Sequence, residues 1–258
     1  MPELPEVERA RRTLEEALDR TIVDVDDSDE WVCRPHRPGD IARALRGGKL
    51  VAAHRKGKTM WCETVDAHGD PGPHLGVHLG MSGRIVVVSD ADQQPPRNPG
   101  WNRFTITFAD GGQFRLLDTR RLGRVRLEPD LDVIGPDAAS ITTAVFRERI
   151  SRGRSAVKAR LLDQSVLSGV GNLLADEALW QAHLSPAALA NELSRDELDR
   201  LHKALRTSLR AAIRKGGVHT GEVISSRTRD ATCPRCGAPM EHGKVGGRTT
   251  WWCSKEQA

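Results

Sequence analysis

The hydrophobic periodicity of this chain changes once, near residue 130, and that change limits the folds it can adopt. Residues 21–130 contain short segments typical of β-strands, separated by turn-rich stretches such as 69–73. Downstream, apolar residues recur at helical spacing, over residues 142–152, 156–163, 172–183 and 195–215. The pattern predicts an α+β chain whose first half is an antiparallel sandwich or barrel.

Local signals place the ends of several elements. Apolar residues at helical spacing predict an amphipathic helix over residues 4–19. Ser194 and Glu197 form a capping box for the last helix, and Gly216-Gly217 ends it. Residues 93–100 are predicted to be an exposed loop.

Charge is unevenly distributed between the two halves. Residues 140–258 hold 19 Lys/Arg against 12 Asp/Glu, whereas the first 139 residues hold 20 against 23. A basic C-terminal half favours a polyanionic partner such as nucleic acid, although a solvated basic face remains an alternative. No apolar run approaches the roughly 18 residues of a membrane span, and no signal peptide precedes the acidic start, so we expect a cytoplasmic protein.

The chain begins Met1-Pro2-Glu3, so removal of one methionine would make Pro2 a free secondary amine beside a carboxylate. A free α-amine titrates near pH 8, against about 10.4 for lysine, so part of it is unprotonated and nucleophilic at neutral pH. A secondary amine that attacks an aldehyde-like carbon forms an iminium ion directly. Pro2 and Pro5 could equally mark only the start of a helix.

A second motif lies between two predicted helices, at Gly169-Val170-Gly171-Asn172. Two glycines allow a sharp turn whose N–H groups face outward beside a helix N-terminus, which is a favourable site for a phosphate. Asn172 could cap the helix and donate its amide, and Lys158 could add charge. The alternative is an ordinary helix–turn–helix corner.

The C-terminus carries cysteines at metal-ligand spacing. Cys233 and Cys236 form a C-x₂-C pair, and Cys253 follows after 16 residues, with Glu256 where a fourth cysteine would complete the set. The sequence predicts one structural zinc site with an uncertain fourth ligand, since His242 is the other candidate nearby.

Between the pairs, residues 246–252 predict a β-hairpin with Arg248 at its turn, suited to a phosphate. A zinc-free hairpin packed on its tryptophans is the alternative. Cys33 and Cys62 stand alone and are expected to be buried and inert.

Six motifs occur in an order that resembles the formamidopyrimidine-DNA glycosylase and endonuclease VIII family of bifunctional DNA glycosylase/AP lyases. The resemblance covers nearly the whole chain. The motifs are Pro2-Glu3-Leu4-Pro5-Glu6-Val7-Glu8, Arg55-Lys56-Gly57-Lys58, His78-Leu79-Gly80-Met81-Ser82-Gly83, Asp118-Thr119-Arg120-Arg121-Leu122-Gly123, residues 164–172 and the terminal hairpin.

The resemblance implies a domain order. It places a catalytic β-sandwich domain at 1–131, a linker at 132–140, a helix–two-turn–helix DNA-binding domain at 141–217 and a zinc-finger-type hairpin at 228–258. The implied partner is double-stranded DNA containing an oxidised base or an abasic site. The implied enzyme is a monomer in the bacterial cytoplasm, associated with the nucleoid.

The resemblance also implies roles. Pro2 would attack the sugar of a flipped nucleotide, Glu3 would handle protons and Glu6 would support the site. Lys58 would contact a phosphate near the lesion, while Lys158, Asn172 and Arg248 would clamp the kinked backbone. Met81, Arg120 and Leu122 would fill the gap left by the flipped base. Release of the 3′ phosphate by β-elimination would be followed by δ-elimination.

Two departures from the family pattern affect specificity. Leu122 stands where phenylalanine is usual, and a leucine fills less of the gap. Only 15 residues separate Gly217 from Cys233, which leaves little chain to cover a flipped base. We therefore expect formamidopyrimidines or oxidised pyrimidines to be favoured over 8-oxoguanine. The alternatives are an AP lyase with weak or unusual base excision and a non-catalytic damaged-DNA-binding protein.

Overall fold

The computed structural model describes residues 2–90 and 98–257, which form two compact units. Pro2 and residues 7–131 make up the first unit, whereas Glu3–Glu6 group with residues 132–257 in the second. Met1 and most of the predicted loop at 93–100 lie outside the described residues. Within those ranges, none of the helices combines the length and the apolar character needed to cross a membrane.

The first unit consists mainly of two four-stranded antiparallel sheets. Its strands, numbered in chain order, are β1 Ile22–Asp26, β2 Lys49–Lys56, β3 Thr59–Val65, β4 Leu75–His78, β5 Arg84–Val88, β6 Asn102–Phe108, β7 Gln113–Leu117 and β8 Arg124–Leu127. One sheet has the order β1-β6-β7-β5 and the other β2-β3-β4-β8. The inward residues of both sheets form a single buried cluster that includes Phe104, Phe114 and Met60. This arrangement confirms the predicted β-sandwich.

Helices flank these sheets. Helix α1 spans Leu4–Glu15, and the short helices α2 Glu30–Cys33 and α3 Asp40–Leu45 lie between β1 and β2. The predicted helix at 4–19 is therefore too long by one turn, because residues 16–18 form i→i−3 turn bonds and Asp19 then adopts a positive φ of 60°. Sequence reasoning missed α2 and α3, which are too short for a clear helical period. Burial raises the pKa of Cys33 and of Cys62 to about 12, as expected for inert thiols.

The second unit is helical and ends in a hairpin. Its helices are α4 Thr143–Ile150, α5 Val157–Leu162, α6 Asn172–Gln181 and α7 Arg195–Lys215, and its strands are β9 Met240–Val245 and β10 Arg248–Cys253. The predicted capping box of Ser194 and Glu197 is present, and Gly216 ends α7 with a φ of 113°. The α+β fold class is confirmed. Arg248 is the first residue of β10, since the turn itself is Gly246-Gly247.

Candidate functional site

The carboxylate of Glu3 is held by the N-terminus of α6. Its oxygens accept N–H bonds from Gly171 at 3.0 Å, Leu173 at 2.8 Å and Leu174 at 3.0 Å. Glu3 is 1% exposed, and the orphan N–H groups and dipole of a helix start stabilise a negative charge there. A Cβ on Gly171 would lie 2.3 Å from Glu3 Cδ, so only glycine allows this approach. The turn predicted to bind phosphate therefore uses these N–H groups for Glu3.

Glu6 completes the first helical turn around Glu3. One carboxylate oxygen accepts the Glu3 N–H at 3.0 Å, and the other accepts the Val218 N–H at 2.7 Å. A Cβ on Gly217 would lie 2.5 Å from Glu6 Oε1. Glu6 therefore bonds the segment that follows α7 to the first turn of α1.

Pro2 immediately precedes Glu3 and is half-buried. Because the carboxylate and the N–H of Glu3 are both hydrogen-bonded, the backbone from which Pro2 extends is well fixed. An amine at this place would have an ordered carboxylate as its neighbour in the chain. Such a pair can attack an electrophilic carbon and move protons in the same site.

Lys158 has a different environment from the one predicted. Its side chain is fully buried, with Nζ 2.6 Å from Asp176 Oδ1 and 2.7 Å from Thr250 Oγ1. Desolvation lowers the pKa of Lys158, against the opposing effect of the Asp176 carboxylate. Its ammonium is not presented to solvent, and its contacts join α5, α6 and β10. Its predicted contact with phosphate stays a prediction.

Asn172 and Arg248 lie beside that buried ion pair. Asn172 Nδ2 donates to the Thr249 carbonyl at 2.9 Å, and Arg227 Nη2 donates to the same oxygen at 3.3 Å. Arg227 also pairs with Asp176 at 2.8 Å. The hairpin strand is therefore fastened to the start of α6, while Arg248 remains exposed at the end of the hairpin.

Lys58 lies in the two-residue turn that joins β2 and β3. Gly57 has a positive φ of 59°, as a turn of this length requires, and its carbonyl accepts Arg55 Nη1 at 3.0 Å. The turn therefore holds Lys58, half-buried, at the tip of the hairpin.

The three predicted gap-filling residues lie in two adjoining loops of the first unit. Met81 is 41% and Leu122 36% exposed, which is unusual for large apolar side chains, and Arg120 is also exposed. Asp118 organises both loops, because its carboxylate accepts the N–H groups of Arg120, Leu122 and Gly123 and the Ser82 hydroxyl at 2.5 Å. Burial acts to raise the pKa of Asp118, but these hydrogen bonds outweigh it and the pKa is lowered.

The cysteine cluster is assembled at the end of the second unit. The Sγ atoms of Cys233, Cys236 and Cys253 lie within 4.8 Å of one another, and they are the residues within the described ranges that could together hold a metal ion. The Trp180 indole donates to Cys233 Sγ at 3.3 Å. Burial opposes ionisation of Cys233, yet this bond and nearby backbone N–H groups lower its pKa to about 7. Three thiols suit three positions of a tetrahedral zinc site.

Glu256, the predicted fourth ligand, is not among the residues whose ligand atoms cluster within 4.8 Å, although its backbone N–H donates to Cys253 Sγ at 3.4 Å. Its carboxylate pairs with Arg235 Nη1 at 2.6 Å and lies 3.2 Å from His183 Nδ1. His242 stacks on Trp251, with ring centroids 4.7 Å apart. The identity of the fourth ligand stays a prediction.

Sequence reasoning missed Glu177, which fixes the segment after α7. It is 5% exposed, its Oε2 accepts the Val223 N–H at 3.0 Å, and a Cβ on Gly221 would lie 2.7 Å from the same oxygen. The available signal was the adjacent pair Asp176-Glu177 inside an otherwise apolar helix. Buried carboxylates in such a helix need partners, and both have them.

Comparison with known proteins agrees with this geometry. Residues 1–125 match the formamidopyrimidine-DNA glycosylase N-terminal domain, and residues 134–222 match the formamidopyrimidine-DNA glycosylase H2TH domain. The chain is similar to a formamidopyrimidine-DNA glycosylase of Latilactobacillus sakei, with 34% identity over 285 residues, covering 100% of this chain and 98% of the relative.

Two solved structures are similar over nearly their full length. One is MutM in complex with DNA containing carbocyclic 8-oxo-G, with 28% identity, a TM-score of 0.84 and 99% of each chain covered. The other is Lactococcus lactis Fpg (MutM) with DNA containing Fapy-dG, with the same identity, TM-score and coverage. Together with the two domain matches, these similarities show that the chain belongs to the formamidopyrimidine-DNA glycosylase family.

Proposed function

We propose that this chain, a base-excision DNA glycosylase of its family, uses the Pro2 amine as the nucleophile of a combined glycosylase and AP lyase reaction. The observation that carries the proposal is the anchoring of Glu3, whose carboxylate receives three backbone N–H bonds directly after Pro2. A protein that only bound DNA would need neither a secondary amine nor an ordered carboxylate beside it.

The chemistry follows from an amine attacking the anomeric carbon of the sugar. The nitrogen lone pair forms a bond to C1′ as the glycosidic bond breaks, the Pro2 nitrogen gives up its proton, and the departing base takes up one proton. Glu3 supplies the proton for ring opening, which gives an iminium ion between Pro2 and C1′. The iminium acidifies the C2′ proton, and its removal expels the 3′ phosphate. A second elimination releases the 5′ phosphate.

We assign the DNA contacts to two groups of residues. Lys58, Asn172 and Arg248 would contact backbone phosphates near the lesion, since charge-assisted contacts to phosphate position the duplex. Met81, Arg120 and Leu122 would occupy the gap in the base stack, because extrusion of a base costs a few kcal/mol of stacking. The burial of Lys158 supports an indirect role, in which it holds the hairpin that carries Arg248.

We propose formamidopyrimidines or oxidised pyrimidines as the preferred lesions. The connection from α7 to the hairpin is short, and its first half is bonded to carboxylates at two points, at Val218 to Glu6 and at Val223 to Glu177. A segment held in this way has little freedom to fold over a large flipped base. The contact with Glu6 supports its position beside the reacting nucleotide.

We also propose one structural zinc ion bound by the three cysteines, with Glu256 as fourth ligand after it leaves Arg235. The protein would act as a monomer on chromosomal DNA in the bacterial cytoplasm, at the nucleoid. Metal analysis should find one zinc per chain, and a chelator should unfold the hairpin. An intact hairpin in metal-free protein would favour the zinc-free alternative. Replacement Glu256→Cys should raise the chelator concentration needed by about tenfold, which corresponds to 1.4 kcal/mol.

Borohydride trapping tests the proposed reaction. Duplexes carrying 8-oxoguanine, a formamidopyrimidine, 5-hydroxycytosine or an abasic site would be incubated with native protein and with Pro2→Gly, after mass spectrometry of the N-terminus. A covalent adduct that requires Pro2 is expected, most abundant on the formamidopyrimidine or oxidised pyrimidine. Trapping on the abasic duplex alone would indicate an AP lyase with weak base excision. Tight binding without any adduct would indicate a non-catalytic damaged-DNA-binding protein.

A further inference from the structure

The ion pair between Asp29 and Arg121 joins two parts of the first unit that lie 92 residues apart in the sequence. Arg121 Nε and Nη2 donate to the two carboxylate oxygens of Asp29, at 3.0 and 2.8 Å. Two parallel hydrogen bonds fix the orientation of a guanidinium as well as its distance. Desolvation acts to raise the pKa of Asp29, but the bonds from Arg121 and from a backbone N–H outweigh it and lower the pKa. The carboxylate therefore stays charged at neutral pH.

Arg121 lies in the middle of the loop whose shape Asp118 fixes. The Asp118 carboxylate accepts N–H bonds from the residues on both sides of Arg121, at Arg120 and Leu122. Arg121 itself has a positive φ of 55°, a left-handed conformation that is unfavourable for a residue with a Cβ. The ion pair with Asp29 stabilises the side-chain direction that this backbone conformation produces.

Asp29 is itself held by two other elements of the first unit. Its Oδ1 accepts the N–H groups of Trp31 and Val32, each at 3.1 Å, and so caps the start of α2. Its Oδ2 lies 3.6 Å from Nη1 of Arg103 in β6, and Arg103 Nε donates to the Asp118 carbonyl at 2.9 Å. The side chain of Asp29 is only 9% exposed. Asp29 is therefore a fixed point to which the loop is attached.

The two neighbours of Arg121 are residues proposed to enter the gap left by a flipped base. Arg120 and Leu122 are both exposed, so burial in the core does not hold their side chains. Hydrogen bonds to a base edge tolerate little change in distance or angle, and the pattern of acceptors differs among the bases. A loop with a fixed orientation can therefore discriminate between bases, whereas a loop that is free to tilt makes weaker and less selective contacts.

We propose that Asp29 and Arg121 are positioning residues for recognition of the base opposite the lesion. Their ion pair ties the loop to α2 and sets the direction in which Arg120 and Leu122 extend, while Asp118 fixes the internal shape of the loop. The proposal rests on the proposed function, which places Arg120 and Leu122 in the gap. It assigns no contact with DNA to Asp29 or Arg121 themselves.

The test is binding to four duplexes that carry a tetrahydrofuran abasic analogue opposite each of the four ordinary bases, which requires no chemistry at Pro2. The measured quantity is the ratio of the dissociation constants for the worst and the best opposite base. We expect Asp29→Asn and Arg121→Gln each to lower this ratio toward one, by roughly tenfold where one base-edge contact is lost. The double variant should match the single variants, since the two side chains act as one pair.

Matched controls separate this role from the helix cap and from net charge. Asparagine caps a helix as well as aspartate does, so Asp29→Asn keeps the start of α2. Asp24→Asn and Arg46→Gln break an exposed ion pair of 2.6 Å elsewhere in the first unit and should keep the native ratio. Urea denaturation shows whether each variant is folded. If Asp29→Asn does not fold, Asp29→Ser replaces it, because serine also caps a helix.

A native ratio in Asp29→Asn would overturn the proposal, and a lower ratio in Arg121→Gln alone would then indicate that Arg121 contacts DNA directly. Equal loss of affinity for all four duplexes and for undamaged duplex would indicate a role in stability alone and would also overturn it. A native protein without any opposite-base preference would contradict both this proposal and the roles given to Arg120 and Leu122. None of these results depends on Pro2, so failure of borohydride trapping and failure of this proposal are distinguishable.

Discussion

Glu3 and Asp118 are buried carboxylates, one in each unit, and both position functional residues by accepting backbone N–H bonds. The group that Glu3 positions lies inside the protein, whereas the side chains that Asp118 positions face outward. Glu3 and Asp118 are each 1% exposed, and each accepts three backbone N–H bonds. The donors to Glu3 lie about 170 residues away in the sequence, at the start of α6, and they hold a reactive group inside the protein. The donors to Asp118 follow it within five residues, and they hold Leu122 and Arg120 outward.

The comparison shows that the sequence distance between a carboxylate and its hydrogen-bond donors decides which part of the fold the carboxylate stabilises. A carboxylate bonded to its own loop fixes a local shape, and it tolerates change elsewhere in the fold. A carboxylate bonded to a remote helix depends on every contact that places that helix. Perturbations of the Glu3 site should therefore affect activity most, and perturbations of the Asp118 loop should have smaller effects.

The largest effect is expected for Gly171→Ala. Its Cβ would meet Glu3 Cδ at 2.3 Å, so the carboxylate must leave the helix N-terminus. Loss of a positioned acid–base group costs roughly 10²–10⁴-fold in rate, and single-turnover trapping should slow by about a thousandfold. Gly100→Ala is the control, since its Cβ would meet the Asn98 side chain at 3.2 Å. A normal rate for Gly171→Ala would show that the anchoring of Glu3 is not required.

Breaking the buried ion pair that supports α6 should have the next largest effect. Lys158→Met leaves the fully buried Asp176 with one fewer cation and should lower the free energy of unfolding by about 3 kcal/mol. Urea denaturation measures this change. The exposed control Lys203→Met should stay within about 0.5 kcal/mol of the native protein. A loss below that value for Lys158→Met would show that Arg227 alone compensates Asp176.

The substitution Asp118→Asn removes the carboxylate whose hydrogen-bond donors are close in sequence. It tests how much this carboxylate adds to the free energy of unfolding and how that amount depends on pH. At neutral pH, loss of the charged acceptor should lower the free energy of unfolding by about 1–2 kcal/mol. The folded pKa of Asp118 is lowered, so its stabilisation is complete above the ordinary value of about 3.9 and is lost as the pH falls through the folded pKa. The difference between native and variant protein should therefore shrink on acidification. A difference that grows toward low pH would contradict this assignment.

The smallest effect is expected for a substitution of the exposed Leu122 side chain, which leaves the hydrogen bonds of the Asp118 loop intact. Leu122→Phe should bind an abasic duplex a few-fold more tightly, because an aromatic ring gains up to about 1.5 kcal/mol from stacking beyond its buried area. Binding to undamaged duplex serves as the control and should not change. Tighter binding to both duplexes would indicate a general apolar effect and not insertion into the gap.

Much of the fold could be predicted because it depends on local patterns. The strands and helices follow from hydrophobic periodicity, and the ends of α7 follow from Ser194, Glu197 and Gly216. The cysteine spacing predicted the cluster now observed among Cys233, Cys236 and Cys253. The short helices α2 and α3 were not predicted because fewer than two helical turns leave no measurable period.

The sequence proposes the residues of the candidate site, and their roles stay predictions, but it does not give all of the contacts that these residues make. The N-terminal motif pointed to Pro2 and Glu3, yet nothing in the sequence identifies Lys158 as the cation that meets the buried Asp176. A lysine in an amphipathic helix looks the same whether its ammonium meets solvent or a carboxylate. The same limit applies to Glu256, whose spacing suggests a ligand while its carboxylate pairs with Arg235.

The sequence by itself determined the order of elements, the turns and caps, and the residues with suitable chemistry, because these depend on interactions between near neighbours in the chain. Only the tertiary structure decided which partner each charged side chain meets. It joined Glu3 to the start of α6, enclosed Lys158 with Asp176, and paired Arg121 with Asp29. The reason is physical: the energy of a buried charge depends on the groups that surround it in space, and those groups come from distant parts of the chain.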